Sequence, residues 1–80
     1  MEFKTPTSGS ANAIKRNINE ASEQVLPAGE VVIDGRQVGL TEEDALRAFR
    51  RACGQPGKTL AEVVHVILGD GRLVSYLKEK

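Results

Sequence analysis

Eighty residues, 40% hydrophobic and 28% charged, have the composition of one small globular domain and not of a disordered tail. Eleven lysines and arginines balance eleven aspartates and glutamates, so the formal net charge is zero; bulk positive charge is excluded as a means of holding nucleic acid, and any such contact must come from a local cluster. The single cysteine, Cys53, makes neither an internal disulfide nor a zinc site, no apolar run approaches the roughly twenty residues of a membrane span, and no signal-peptide pattern opens the chain.

Glu2-Phe3-Lys4-Thr5-Pro6 alternates polar and apolar and predicts a short strand. Ser8 and Ser10 offer N-caps for a helix over Ala11–Val25, where Ile14, Ile18, Ala21 and Val25 form one stripe and Lys15, Arg16, Asn19, Glu20 and Glu23 the other side. Pro27 and Gly29 stop it. Val31-Val32-Ile33 is β-branched and predicts a buried strand. Asp34-Gly35 suits either a tight hairpin or a loop, and Gly39, which interrupts the second candidate strand, favours the loop. Thr41 with Asp44 resembles a capping box, opening a helix with a buried stripe of Ala45, Leu46, Phe49, Ala52 and Cys53 and with Arg47, Arg50 and Arg51 toward its end. Thr59 and Glu62 would cap another helix, but the β-branched run Val63-Val64-His65-Val66-Ile67, followed by Gly69-Asp70-Gly71 and a second apolar segment, favours strand, turn and strand. The expected fold class is a small α/β (α+β) domain, β-α-β-α-β-β, with a mixed sheet and two helices.

Three groups of residues carry candidate chemistry. Glu2 and Lys4 alternate on one strand and so share a face, as metal-assisted phosphodiester hydrolysis requires of a carboxylate that ligates a divalent cation such as magnesium and an ammonium that neutralises charge; the plain alternative is a solvated terminal pair. Ser10, Lys15 and Arg16, with Asn12, Asn19, Glu23 and Gln24 nearby, lie on a polar helix face whose cations and N-terminus suit phosphate; the plain alternative is the wet side of an amphipathic helix. Asp34 and Arg36 close the central strand, where an arginine clamps phosphate bidentately; the alternative is turn chemistry. His65, the only histidine, reads as a packed or half-exposed strand residue, Cys53 as core, and Tyr76 alone is no base-stacking platform.

Taken in order, Glu2-Phe3-Lys4-Thr5-Pro6, the serine- and asparagine-rich helix start, Glu20-Ala21-Ser22-Glu23-Gln24, Val31-Val32-Ile33-Asp34-Gly35-Arg36, Gly39-Leu40-Thr41-Glu42-Glu43-Asp44-Ala45-Leu46 and Val66-Ile67-Leu68-Gly69-Asp70-Gly71 resemble the C-terminal toxin domains of CdiA-type contact-dependent inhibition proteins. The resemblance covers nearly all of the chain. It implies a single domain over residues 1–80, the C-terminal part of a larger bacterial toxin, delivered from the producer cell surface or secreted, and acting as a tRNA nuclease in the target-cell cytoplasm. Its partners would be tRNA and a cognate immunity protein. Related domains use either a metal-independent RNase fold or a restriction-endonuclease-like fold with a Glu-x-Lys strand and a metal, and Glu2-Phe3-Lys4 fits the second. The implied site is Glu2, Lys4, Gln24, Asp34 and Arg36, with Glu2 as metal ligand. Relatives of this pattern carry further chain before the Glu-Phe-Lys strand, including an acidic residue able to be a second ligand; here Met1 stands directly before Glu2. Two other classes fit less well: a ribbon-helix-helix DNA-binding regulator, which needs helices at 42–53 and 60–68, and a non-catalytic phage or secretion adaptor that assembles through a sheet edge.

Overall fold

The order β-α-β-α-β-β is the order found in the computed structural model, which describes residues 2–25, 29–54 and 60–77. The elements are β1 (Glu2–Lys4), α1 (Ala11–Val25), β2 (Glu30–Asp34), α2 (Glu42–Cys53), β3 (Val63–Ile67) and β4 (Leu73–Leu77). They form one four-stranded mixed sheet, β1-β2-β3-β4, with β1, β2 and β3 parallel and β4 antiparallel to β3. Residues 60–68, which a ribbon-helix-helix protein would need as helix, are led by two buried residues into a strand. Asp34-Gly35 opens a loop and no hairpin. Pro27 and Thr59 lie outside the described residues.

Parallel strands need a crossover, and α1 and α2 supply the two. Both crossovers step the same way along the sheet, so a common hand sends both helices to one face. Burial agrees. Val31, Ile33, Val64 and Val66 share a row and a face, and all are fully buried beneath Ile14, Ile18 and Ala21 of α1 and Ala45, Ala48, Phe49 and Ala52 of α2. Each large aliphatic side chain in this layer contributes about 1.5–3 kcal/mol of burial free energy. Phe49 stacks on Tyr76 of β4, ring centroids 4.9 Å apart, which ties α2 to the far side of the same face.

Local chemistry places the helix ends. Ser10 Oγ accepts from the Ala13 amide at 3.2 Å, and Thr41 Oγ1 from the Asp44 amide at 3.1 Å. Three acidic residues fill the first turn of α2, and Arg50 and Arg51 lie in its last. Two burial expectations are corrected. Asn19, placed on the wet side, is buried, because α2 packs beside α1 on the same sheet face and widens the covered arc. Cys53, placed in the core, is exposed: the buried stripe of α2 runs through Ala45, Ala48, Phe49 and Ala52, at i, i+3, i+4 and i+7, leaving Leu46 and Cys53 on its flank. Ser22, fully buried, accepts from the Ala61 amide at 2.9 Å and fastens the end of α1 to the segment entering β3.

At the C-terminal ends of β2 and β3 the loops over residues 35–41 and 68–72 are knitted backbone to backbone. The Gly35 amide donates to the Ile67 carbonyl at 2.8 Å, and the Gly69 amide to the Leu40 carbonyl at 2.8 Å. A Cβ on Gly69 would stand 2.6 Å from the Gly39 Cα, and Gly39 itself has φ +63°, so two glycines make the contact possible. Gly69→Ala is therefore expected to lose about 1–3 kcal/mol of stability in a urea titration, the usual cost of forcing atoms into a packed contact. Asn19 carries the converse defect, a buried Oδ1 with no hydrogen-bond partner among the described residues. Asn19→Leu, which removes that orphaned acceptor, is expected to gain about 1 kcal/mol in the same titration.

Candidate functional site

Register fixes the first group. Glu2 lies opposite Val31 and Lys4 opposite Ile33, so both carboxylate and ammonium are on the helix-covered face of β1, half-buried, while Phe3 turns to the other face. Glu2 Oε1 accepts from the Phe3 amide at 3.2 Å. Lys4 sits one position before the level of Asp34, but strand alternation turns Asp34 to the opposite face. Gln24 is exposed near the end of α1 that feeds the start of β2, and Asp34 and Arg36 are at that strand's far end. The expected set Glu2, Lys4, Gln24, Asp34 and Arg36 is thus split between two faces and two ends of the sheet. Ser10 is at the C-terminal end of β1, occupied as the cap of α1, with Lys15 half-buried and Arg16 exposed beyond it.

A magnesium ion wants several hard oxygen ligands in near-octahedral array. Among the described residues no group of three or more histidines, cysteines, aspartates and glutamates is arranged so that it could hold a metal ion. The donor set present does not fit a resident divalent cation.

Asp34 and Arg36 are brought together, but to each other. Arg36 Nε donates to Asp34 Oδ1 at 3.0 Å, a terminal guanidinium nitrogen to Oδ2 at 2.8 Å, and the Arg36 amide to Oδ1 at 3.1 Å. Asp70-Gly71-Arg72 repeats the device: the Arg72 amide donates to Asp70 Oδ1 at 3.0 Å and Nε to Oδ2 at 2.7 Å. Two Asp-Gly-Arg segments, each internally neutral and each with the arginine amide and side chain donating to the aspartate, are turn-forming structures first. A groove of about 430 Å³ between the two loops is lined by Thr41, Glu42, Asp70 and Arg72, and Arg72 also reaches Glu42 at 3.7 Å. The carboxylates there disfavour a phosphate.

The arginine hydrogen bonds hold the Asp34 carboxyl below the ordinary carboxylate range, first through the Arg36 side chain and then through its amide. A depressed folded-state pKa gives stability that is full above the unfolded-state pKa and is lost as pH falls through the folded one. The Asp34 side chain is only 11% exposed, so Arg36→Ala strands a carboxylate that the fold has largely enclosed. The expected outcome is a lower melting temperature at pH 7 and an acid-unfolding midpoint at higher pH than the parent, measured by circular dichroism.

The sequence reading missed one constellation. On the open face, His65 Nδ1 is 2.7 Å from Ser75 Oγ and His65 Nε2 is 2.7 Å from Glu30 Oε1, joining three strands. An ionised glutamate only accepts, so in neutral His65 the proton is on Nε2 and the Nδ1 lone pair takes the serine hydroxyl. The His65–Ser75 contact follows from a hairpin centred on Asp70, which sets residue 65 opposite 75; the Glu30 contact needs the β2–β3 register, a non-local pairing no local pattern announces. Half-buried or exposed apolar side chains surround the trio, Phe3, Leu73 and Leu77 being 52%, 61% and 70% exposed. Tyr76 is on the other face with its ring stacked on Phe49, and burial with the charge of Glu42 raises its hydroxyl pKa.

Compared with known proteins, the chain matches no family model, no curated protein and no solved structure. No helix among the described residues is long and apolar enough to cross a membrane.

Proposed function

We propose that this chain is the RNA-cleaving domain of a CdiA-type toxin, cutting tRNA phosphodiester bonds in the cytoplasm of a target cell and restrained in its producer by a cognate immunity protein. One observation carries the reading: Glu2 and Lys4 share the covered face of β1, half-buried, on a strand whose position is set by parallel pairing with β2. Their Cα atoms are about 6.6 Å apart along such a strand, a spacing at which one phosphodiester touches both side chains. Lys4 draws in the scissile phosphate and neutralises the charge that builds on its oxygens. Glu2 accepts the proton of the attacking 2′-hydroxyl as its oxygen bonds to phosphorus, the bond from phosphorus to the 5′-oxygen breaks, and the departing oxygen takes a proton from solvent. Gln24 is near the end of α1 that feeds the start of β2 and Asp34 and Arg36 are at that strand's far end, so these three do not share one centre, and Arg36 keeps only part of its donor set for a phosphate.

A second reading of the same activity has its own observation in the Glu30–His65–Ser75 chain. There the Nδ1 lone pair is a base, and Glu30 stabilises the imidazolium that protonation creates. It places the chemistry on the opposite face and requires only an RNA 2′-hydroxyl.

Incubation of the purified chain with total bacterial tRNA, in magnesium and in EDTA, tests the activity and separates the two readings on a denaturing gel. The expected result is discrete fragments whose rate falls about 10²-fold or more in Glu2→Gln and Lys4→Met, the usual range for a lost acid or base, and stays unchanged in His65→Ala. Fragments that survive Glu2→Gln and vanish with His65→Ala transfer the reaction to the open face. An inert parent chain contradicts the nuclease reading.

A further inference from the structure

The ion pairs sort the arginines into two kinds. Arg36 is neutralised by Asp34, Arg72 by Asp70 and Glu42, and Arg47 by Glu43 at 2.8 Å and Asp44 at 3.6 Å. Arg16, Arg50 and Arg51 have no carboxylate partner among the described residues, and all three are exposed. The fold then brings them together. Arg51 donates to Asn12 Oδ1 at 2.8 Å, bridging the last turn of α2 to the first turn of α1 across 39 residues of sequence. Arg16 is one turn from Asn12 on α1, and Arg47 one turn from Arg51 on α2, spacings that set side chains side by side on a helix surface. Arg47, Arg50 and Arg51 line a shallow depression of about 370 Å³ with Glu43. The first turn of α1 holds no acidic residue, and the carboxylates nearest the cluster are Glu43, which lines the depression and pairs with Arg47, and Glu20, one turn beyond Arg16.

A chain of zero net charge therefore concentrates uncompensated guanidinium groups on the seam between its two helices. Guanidinium is the side chain best matched to phosphate: planar, always charged, and weakly hydrated enough to form bidentate contacts. Read as helix-dipole partners, Arg50 and Arg51 would account for α2 alone and leave Arg16 and the Asn12 bridge unexplained.

We infer that Arg16, Arg50 and Arg51, gathered by the Arg51–Asn12 bridge, form the surface that holds the phosphate backbone of the RNA substrate. The inference rests on the nuclease reading and extends it by assigning the binding surface. It also favours Glu2 and Lys4 over His65, since the cluster is on the helix layer and the histidine on the opposite face of the sheet. The domain measures 30 × 22 × 20 Å, so an RNA duplex of about 16 base pairs, the length small double-stranded-RNA modules span, reaches from the seam to β1. An acidic protein surface is the competing occupant.

The test is binding of fluorescein-labelled tRNA to the Glu2→Gln chain, by anisotropy across a salt series. Each phosphate contact contributes about one to the slope of log K against log salt. Combined Arg16→Gln, Arg50→Gln and Arg51→Gln is expected to lower that slope by about two to three and raise Kd about tenfold or more at 0.1 M salt. Arg16→Gln with Arg50→Gln spares the Asn12 bridge and still lowers the slope by about two, which covers any loss of folding in the triple variant. Arg72→Gln, whose charge is already neutralised, leaves the slope unchanged. tRNA bound with the parent slope by both arginine variants overturns this surface and leaves the nuclease reading standing. No tRNA binding by the Glu2→Gln chain overturns both, and the seam is then left to an acidic protein.

Discussion

One constraint organises the molecule: the sheet has a single covered face. Two crossovers of the same hand and direction place both helices on one side, so Val31, Ile33, Val64 and Val66 are sealed while the alternate residues of the same strands are not. Among the described residues the buried apolar side chains form one cluster built around that layer. The functional geometry follows from it. Glu2 and Lys4 are half-buried because they share a register row with sealed valine and isoleucine side chains. The trio Glu30, His65 and Ser75 is accessible because it occupies the unsealed row.

Charge is distributed by the same logic. Asp34, Asp70, Glu43 and Asp44 are spent near their own sequence, in two Asp-Gly-Arg turns and in the first turn of α2, and they neutralise Arg36, Arg72 and Arg47 in place. Arg16, Arg50 and Arg51, which no carboxylate of the described residues neutralises, gather where the helices meet. A net charge of zero thus says little about the local field, which is set by which carboxylates are already engaged.

The elements were legible in the sequence because each is locally signalled. Ser10 and Thr41 are caps that act as caps; the β-branching of residues 63–67 outweighed the apparent cap at Thr59 and Glu62; and Gly39 marked a loop where a hairpin was possible. What could not be read depends on neighbours distant in sequence. Asn19 is buried because a second helix lies beside the first, and Cys53 is exposed because the stripe of α2 turns toward Ala48. Arg51 meets Asn12 only when α1 and α2 pack, and Glu30 meets His65 only through parallel strand pairing. Asp34 and Arg36 look from sequence like an anion clamp and are, in the fold, a closed ion pair. Gln24 is grouped with Glu2 and Asp34 by the toxin-domain resemblance, which does not fix the end of the sheet a residue occupies.

The account holds that RNA is engaged from the helix side, between the β1 pair and the α1–α2 seam. Amide chemical-shift mapping of the isotopically labelled Glu2→Gln chain on addition of tRNA tests this most directly. The account predicts perturbations in residues 2–4, 12–16 and 47–51, with the amides of β3 and β4 unmoved. Perturbations centred on His65 and Ser75, with the seam silent, would contradict it.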